Sequence, residues 1–204
     1  MEVFMGICDF IPVLLFLQAA ISLQRSLYSK LSKGAFALFA GGTIMVVAAG
    51  TYKALWKVLY YAGICDWVNL NKAFFPMQAL GFLLAGIALV AMLTHCQGNT
   101  AYGFVAPAAF SGTMIFVTMM ILGLMGMNFS LAYLGAKLKK KGIVVLYALS
   151  FILMLMMGYL SSKDFSSVAL NWVAQGINIL GLALFLIAAR KLRKAGIENL
   201  EIVH

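Results

Sequence analysis

The chain's last long apolar run reads Phe165-Ser-Ser-Val-Ala-Leu-Asn-Trp-Val-Ala-Gln-Gly-Ile-Asn-Ile-Leu-Gly-Leu-Ala-Leu-Phe-Leu-Ile-Ala-Ala189. From Val168 to Ala189 it carries no charge, and it is long enough for one membrane crossing, which needs about 20 mostly apolar residues. Three amides interrupt it. Asn171, Gln175 and Asn178 are spaced i, i+4 and i+7, so on a helix they share one face, with Ser167 one turn earlier. Polar side chains within lipid are costly unless they meet a partner or water. The stripe therefore marks the inward face of this span.

The rest of the chain is of the same kind. Apolar residues make up 64% and charged residues 10%, where a soluble domain is nearer half apolar and a quarter charged. The mean hydropathy is +0.99. Only 3 Pro stand beside 19 Gly, a composition suited to closely packed transmembrane helices. Six runs qualify as spans, at about 4–23, 34–56, 73–94, 108–134, 143–160 and 168–189, with a polar tail over 190–204. The sequence thus predicts an all-α, polytopic integral membrane protein, one domain built as a bundle of six transmembrane helices. The first run has no basic residues before it and no Ala-x-Ala site, so it reads as a retained span rather than a cleaved leader. The fourth lies in a stretch, Gly103 to Ala136, that is longer than one straight crossing needs. It is tilted, kinked or preceded by an interfacial piece near Pro107, or it hides an extra crossing. Asp164 or Ser166 is the expected N-cap of the sixth. Ala37 with Gly41, and Gly81 with Ala85, are small-xxx-small pairs that permit close helix crossings.

The net charge of +9 is no nucleic-acid footprint, because the cations cluster beside apolar runs, at Lys137, Lys139, Lys140 and Lys141 and at Arg190, Lys191, Arg193 and Lys194. With six spans, both termini in the cytoplasm puts those clusters inside with Lys53, Lys57 and Lys72. Arg25, Lys30, Lys33 and Lys163 are left outside. The first loop then conflicts locally with the rule that short cytoplasmic loops are the basic ones. Gly6-Ile-Cys-Asp-Phe10 returns as Gly63-Ile-Cys-Asp-Trp67, an echo too short to establish a repeat.

Chemistry-bearing residues are few. Asp9 near Pro12 reads as an interfacial acid close to the end of its span, and Asp66 as a loop acid. Lys53 and Lys57, one turn apart among Tyr52, Trp56 and Tyr60, read as snorkelling lysines in an aromatic belt. His95 with Cys96, and His204, are isolated, and three cysteines without a CxxC argue against structural disulfides and thiolate metal cages. No metal, cofactor or catalytic constellation is expected, which leans against an enzyme.

The function expected is a small membrane transporter, channel or substrate-binding transporter subunit for a small polar or amphipathic solute. Asn171, Gln175 and Asn178 would line the path, helped by Gln18 and Gln78. The same amides could instead be interhelical glue, with Gln18, Gln78, Thr113, Thr118 and Asn128 as partners. That alternative makes the protein a sensor or assembly subunit whose basic clusters dock a cytoplasmic protein. A lipid-modifying enzyme is the third reading, disfavoured by the missing catalytic groups. Expected partners are membrane lipid, a small solute, and a second copy or a cytoplasmic protein, with no nucleic acid. The expected location is the plasma membrane.

Overall fold

The computed structural model describes residues 2–94, 113–160 and 168–200. It contains seven α-helices: α1 (Glu2–Cys8), α2 (Phe10–Leu27), α3 (Lys33–Tyr61), α4 (Val68–Thr94), α5 (Thr113–Lys137), α6 (Lys141–Leu160) and α7 (Val168–Lys194). A short 3-10 helix, Ile197–Asn199, follows them. Five stretches are long and apolar enough to cross a membrane: Val3–Leu27, Lys33–Tyr61, Val68–Thr94, Met114–Lys137 and Leu170–Lys194. Lys141–Met157 is a shorter apolar helix. The fold is therefore all-helical and consistent with a helical membrane protein, as expected. His95, Cys96, Pro107, Lys163, Asp164, Ser166, Ser167 and His204 lie outside the described residues, as does the start of the expected fourth span.

Local chemistry sets the turns. Ser32 caps α3 by accepting from the Ala35 amide at 3.2 Å, which satisfies one of the free N–H groups of the first turn. At the end of α5, Lys139 takes a left-handed conformation (φ +56°). The Lys140 amide then reaches the Gly135 carbonyl and the Lys139 amide the Ala136 carbonyl, the paired bonds that close a Schellman motif. Gly63 (φ +69°) ends α3 in the same way, with Ile64 bonded to Leu59.

Among the described residues α2 to α7 form a ring in which each helix packs on the next and α7 closes on α2. Side-chain pairings give the directions. α2 and α3 are antiparallel, joined by Asp9–Lys57 at one end and by Gln24–Thr43 toward the other. α3 and α4 are antiparallel through Gly42–Gly81 and Lys53–Phe74. α5 and α6 are antiparallel through Gly135–Ile143 and Phe129–Phe151, and α6 and α7 through Ser150–Gly181 and Tyr147–Phe185. α4 and α5 are parallel, because Phe75 meets Phe116, Phe82 meets Gly123 and Gly86 meets Gly126. α2 and α7 are parallel too, with Phe16 on Phe185 and Gln18 on Arg190.

Two results depart from the sequence reading. Six directly alternating spans require the third and fourth to be antiparallel, whereas α4 and α5 run the same way, and Thr94 and Thr113 stand at opposite ends of the bundle. Both termini were expected on one side. The packing sets Glu2 at one end of the bundle and Leu200 at the other.

Small residues allow the closest crossings. A Cβ on Gly42 would lie 2.5 Å from the Gly81 carbonyl oxygen, and one on Gly86 2.6 Å from that of Gly123. The close face of α3 is thus Gly42 and not the expected Ala37–Gly41 pair, since Ala37 is exposed and Gly41 has no neighbour within 4 Å of such a position. At mid-bundle Tyr147, Phe185, Phe16 and Phe82 form a chain of ring contacts across the core, with centroids 5.5, 6.1 and 5.6 Å apart. All four rings are buried.

Candidate functional site

Pro12 has no N–H, so the carbonyl four residues earlier, that of Cys8, loses its helical donor. The break between α1 and α2 falls there, at Asp9. From α7, Gln175 Nε2 donates to the Cys8 carbonyl oxygen at 2.9 Å, and Gln175 is buried. One residue of the amide stripe thus repairs a defect in a neighbouring helix.

Beside that repair, charge collects. Asp9 Oδ2 lies 2.5 Å from Lys57 Nζ, and the two side chains keep only 11% and 19% of their exposure. Lys53, one turn away on the same face of α3, holds its Nζ 4.2 Å from the centroid of the Phe74 ring on α4, a cation–π contact. Among the described residues no carboxylate lies within ion-pairing distance of Lys53. Gly6 lets α1 lie over the end of α3, since a Cβ there would be 3.0 Å from the Val58 side chain. Phe4 and Trp172 meet at 6.2 Å on the α1–α7 side. Trp56 stacks on Tyr60 and donates its indole N–H to Asp66 Oδ1 at 2.9 Å. The result is a charged cluster at the α1 end of the bundle, one ion-paired carboxylate and two ammonium groups beside aromatic rings.

The five residues expected at a solute site divide. Asn171 and Asn178 are half-buried on α7 at this same end as Gln175. Gln78 is half-buried one turn beyond Phe74, on the same face of α4. Gln18 is exposed toward the opposite end, where its Oε1 accepts from Arg190 Nη2 at 2.7 Å. The partners expected for glue bond elsewhere. Thr118 Oγ1 donates to the Met114 carbonyl and Asn128 Nδ2 to the Leu124 carbonyl, each within its own helix. The side chain of Thr113 lies outside the described residues. Two other polar links join neighbouring helices, Gln24 Nε2 to Thr43 Oγ1 at 2.8 Å and Ser150 Oγ to the Gly181 carbonyl at 2.9 Å.

The sequence reading missed the Asp9–Lys57–Lys53 cluster, because it set the acid at an interface and the lysines in a belt. The available signal was topological. Consecutive spans joined by a short loop form an antiparallel hairpin, which brings the start of the first to the end of the second. Deeper in the bundle, the Tyr147 hydroxyl and Asn128 Oδ1 are fully buried with no hydrogen-bond partner among the described residues. Unpaired buried polar atoms cost about 1–3 kcal/mol each, so two in one core are a feature of the interior that packing does not explain.

No protein-family model, no curated protein and no solved structure matches this chain.

Proposed function

We propose that the chain is a membrane transport protein, either a carrier or a substrate-binding membrane subunit, for a small polar or amphipathic solute bearing an anionic group. The observation that carries this reading is Lys53. It is a half-buried cation with an aromatic face and, among the described residues, no carboxylate within ion-pairing distance, next to an ion pair that already satisfies Lys57. Ionisable residues in apolar helices mark solute or ion pathways more often than packing. A carboxylate or phosphate group reaching this cluster would complete the charge set, with Asn178 offering donors and acceptors to the neutral part.

The helix directions, with α4 and α5 parallel, set which residues share each end of the bundle. Among the described residues, Asp9 and Asp66 stand against Lys53, Lys57 and Lys72 at the α1 end. Among the same residues the other end holds Arg25, Lys30, Lys33 and both basic clusters, eleven cations against Glu198 alone. In this reading the basic end is cytoplasmic and the charged cluster faces out, in a plasma membrane. The first loop, at odds with the rule on a six-span count, joins the basic majority. Lys53 is 20 residues from Lys33, about 30 Å of helix rise, which sets the charged cluster at the outer edge of a hydrocarbon core of about that thickness.

The test is a thermal-stability panel on the detergent-purified protein, using small carboxylates, amino acids and inorganic anions. At least one class should raise the melting temperature of the wild type and not of Lys53→Gln. If no class acts, or if those that act stabilise Lys53→Gln equally, the reading fails.

A further inference from the structure

At the basic end the last turn of α7 leads into a bend at Gly196 (φ +80°), and Ile197 is fully buried beneath it. That anchor folds the 3-10 helix back over α2. A cleft of about 690 Å³ opens between α2, α7 and this turn. Gln18 and Ile21 line it from α2, Arg190, Arg193 and Lys194 from α7, and Asn199 from the turn. Glu198 is its single acid, 3.9 Å from Arg193. The Arg190 guanidinium is held in place by the 2.7 Å bond to Gln18, so one cation is oriented before any ligand arrives. Basic residues in a last helical turn also answer the helix dipole, but the dipole requires neither a walled cleft nor a tail folded to form one.

The surface leading away from the cleft is graded. On α2, Leu14 lies one heptad before Ile21, with Gln18 between them, and on α7 Leu180 and Ile187 precede Arg190 on one face. Leu14, Ile21, Leu180 and Ile187 are all exposed. Because α2 and α7 run parallel, these side chains border one groove that is apolar at depth and cationic at its mouth. We propose that this cleft binds the phosphate headgroup of an anionic phospholipid, with the acyl chains lying along the α2–α7 groove. Basic pockets between helices on the cytoplasmic side suit such headgroups, and arginine presents a planar fork that matches phosphate oxygens. A free phosphate shares the headgroup's chemistry, but it has no use for the apolar groove.

Native mass spectrometry of the purified full chain, mixed with phosphatidylglycerol or phosphatidylcholine, tests the site. The wild type should retain phosphatidylglycerol in preference, and the double variant Arg190→Gln/Arg193→Gln should lose that retention by roughly tenfold. Lys194→Gln, at an exposed residue of the cleft lining, is the milder variant and should lose several-fold. Lys140→Gln/Lys141→Gln removes the same charge at the same end, away from the cleft, and should leave retention unchanged. Equal losses in the two double variants would reduce the effect to general surface charge and overturn the site. So would an absence of preference in the wild type. Displacement of the lipid by inorganic phosphate at equal concentration would make the ligand a free anion and overturn the lipid assignment.

Discussion

Gln175 shows how a polar residue in an apolar helix acquires a structural role. Pro12 frees the Cys8 carbonyl, and the amide from α7 takes it. Gln175→Leu should lower stability by about 1–2 kcal/mol, the cost of leaving a buried acceptor unmade. Pro12→Ala restores an N–H to that carbonyl, so the same Leu substitution should cost less in the Pro12→Ala background. Chemical denaturation of all four forms measures the coupling, and additive losses would refute the pairing. Asp9→Asn should destabilise by roughly 1–2 kcal/mol, below the range of fully buried pairs because both partners keep some exposure. Adding Lys57→Met to Asp9→Asn should recover part of the loss, read from the same denaturation curves. At this scale the sequence named the inward face of α7 through Asn171, Gln175 and Asn178. It could not name Cys8 as the partner of Gln175, because that contact joins positions 167 apart in the chain.

At the scale of elements, hydropathy made the helices legible. The expected runs at 34–56, 73–94 and 143–160 fall within α3, α4 and α6. Their ends were less legible, since the aromatic and lysine-rich stretch from Tyr52 to Tyr61 continues α3 instead of leaving the helix. Direction was illegible, because apolar content is the same whichever way a helix runs. The parallel pairing of α4 and α5 depends on Gly86, Gly123 and Gly126, where the backbones touch. Gly123→Leu should therefore cost several kcal/mol or prevent folding, as overpacking against backbone leaves no rotamer to escape into. Gly41→Leu, on the open side of α3, should change stability little. Melting temperatures of the two variants in detergent compare them directly, and equal effects would contradict the crossing.

The whole molecule is polarised. Among the described residues one end sets Asp9 and Asp66 against three lysines and carries the charged cluster, and the other holds eleven cations and the cleft. Charge counting alone could not assign these ends. On six spans a basic majority of eleven to four arises with different members, and only the helix directions move Arg25, Lys30 and Lys33 to the basic side. The proposed solute site and the proposed lipid site both depend on this polarity. It is tested most directly by labelling intact cells with a membrane-impermeant maleimide. Cys65 is exposed in the turn after α3, at the α1 end of the bundle. With Cys8 and Cys96 changed to Ser, Cys65 should label from outside. When Cys65 is also replaced by Ser, a cysteine introduced by Lys139→Cys should label only after the cells are permeabilised. Labelling of both positions from the same side would contradict the account.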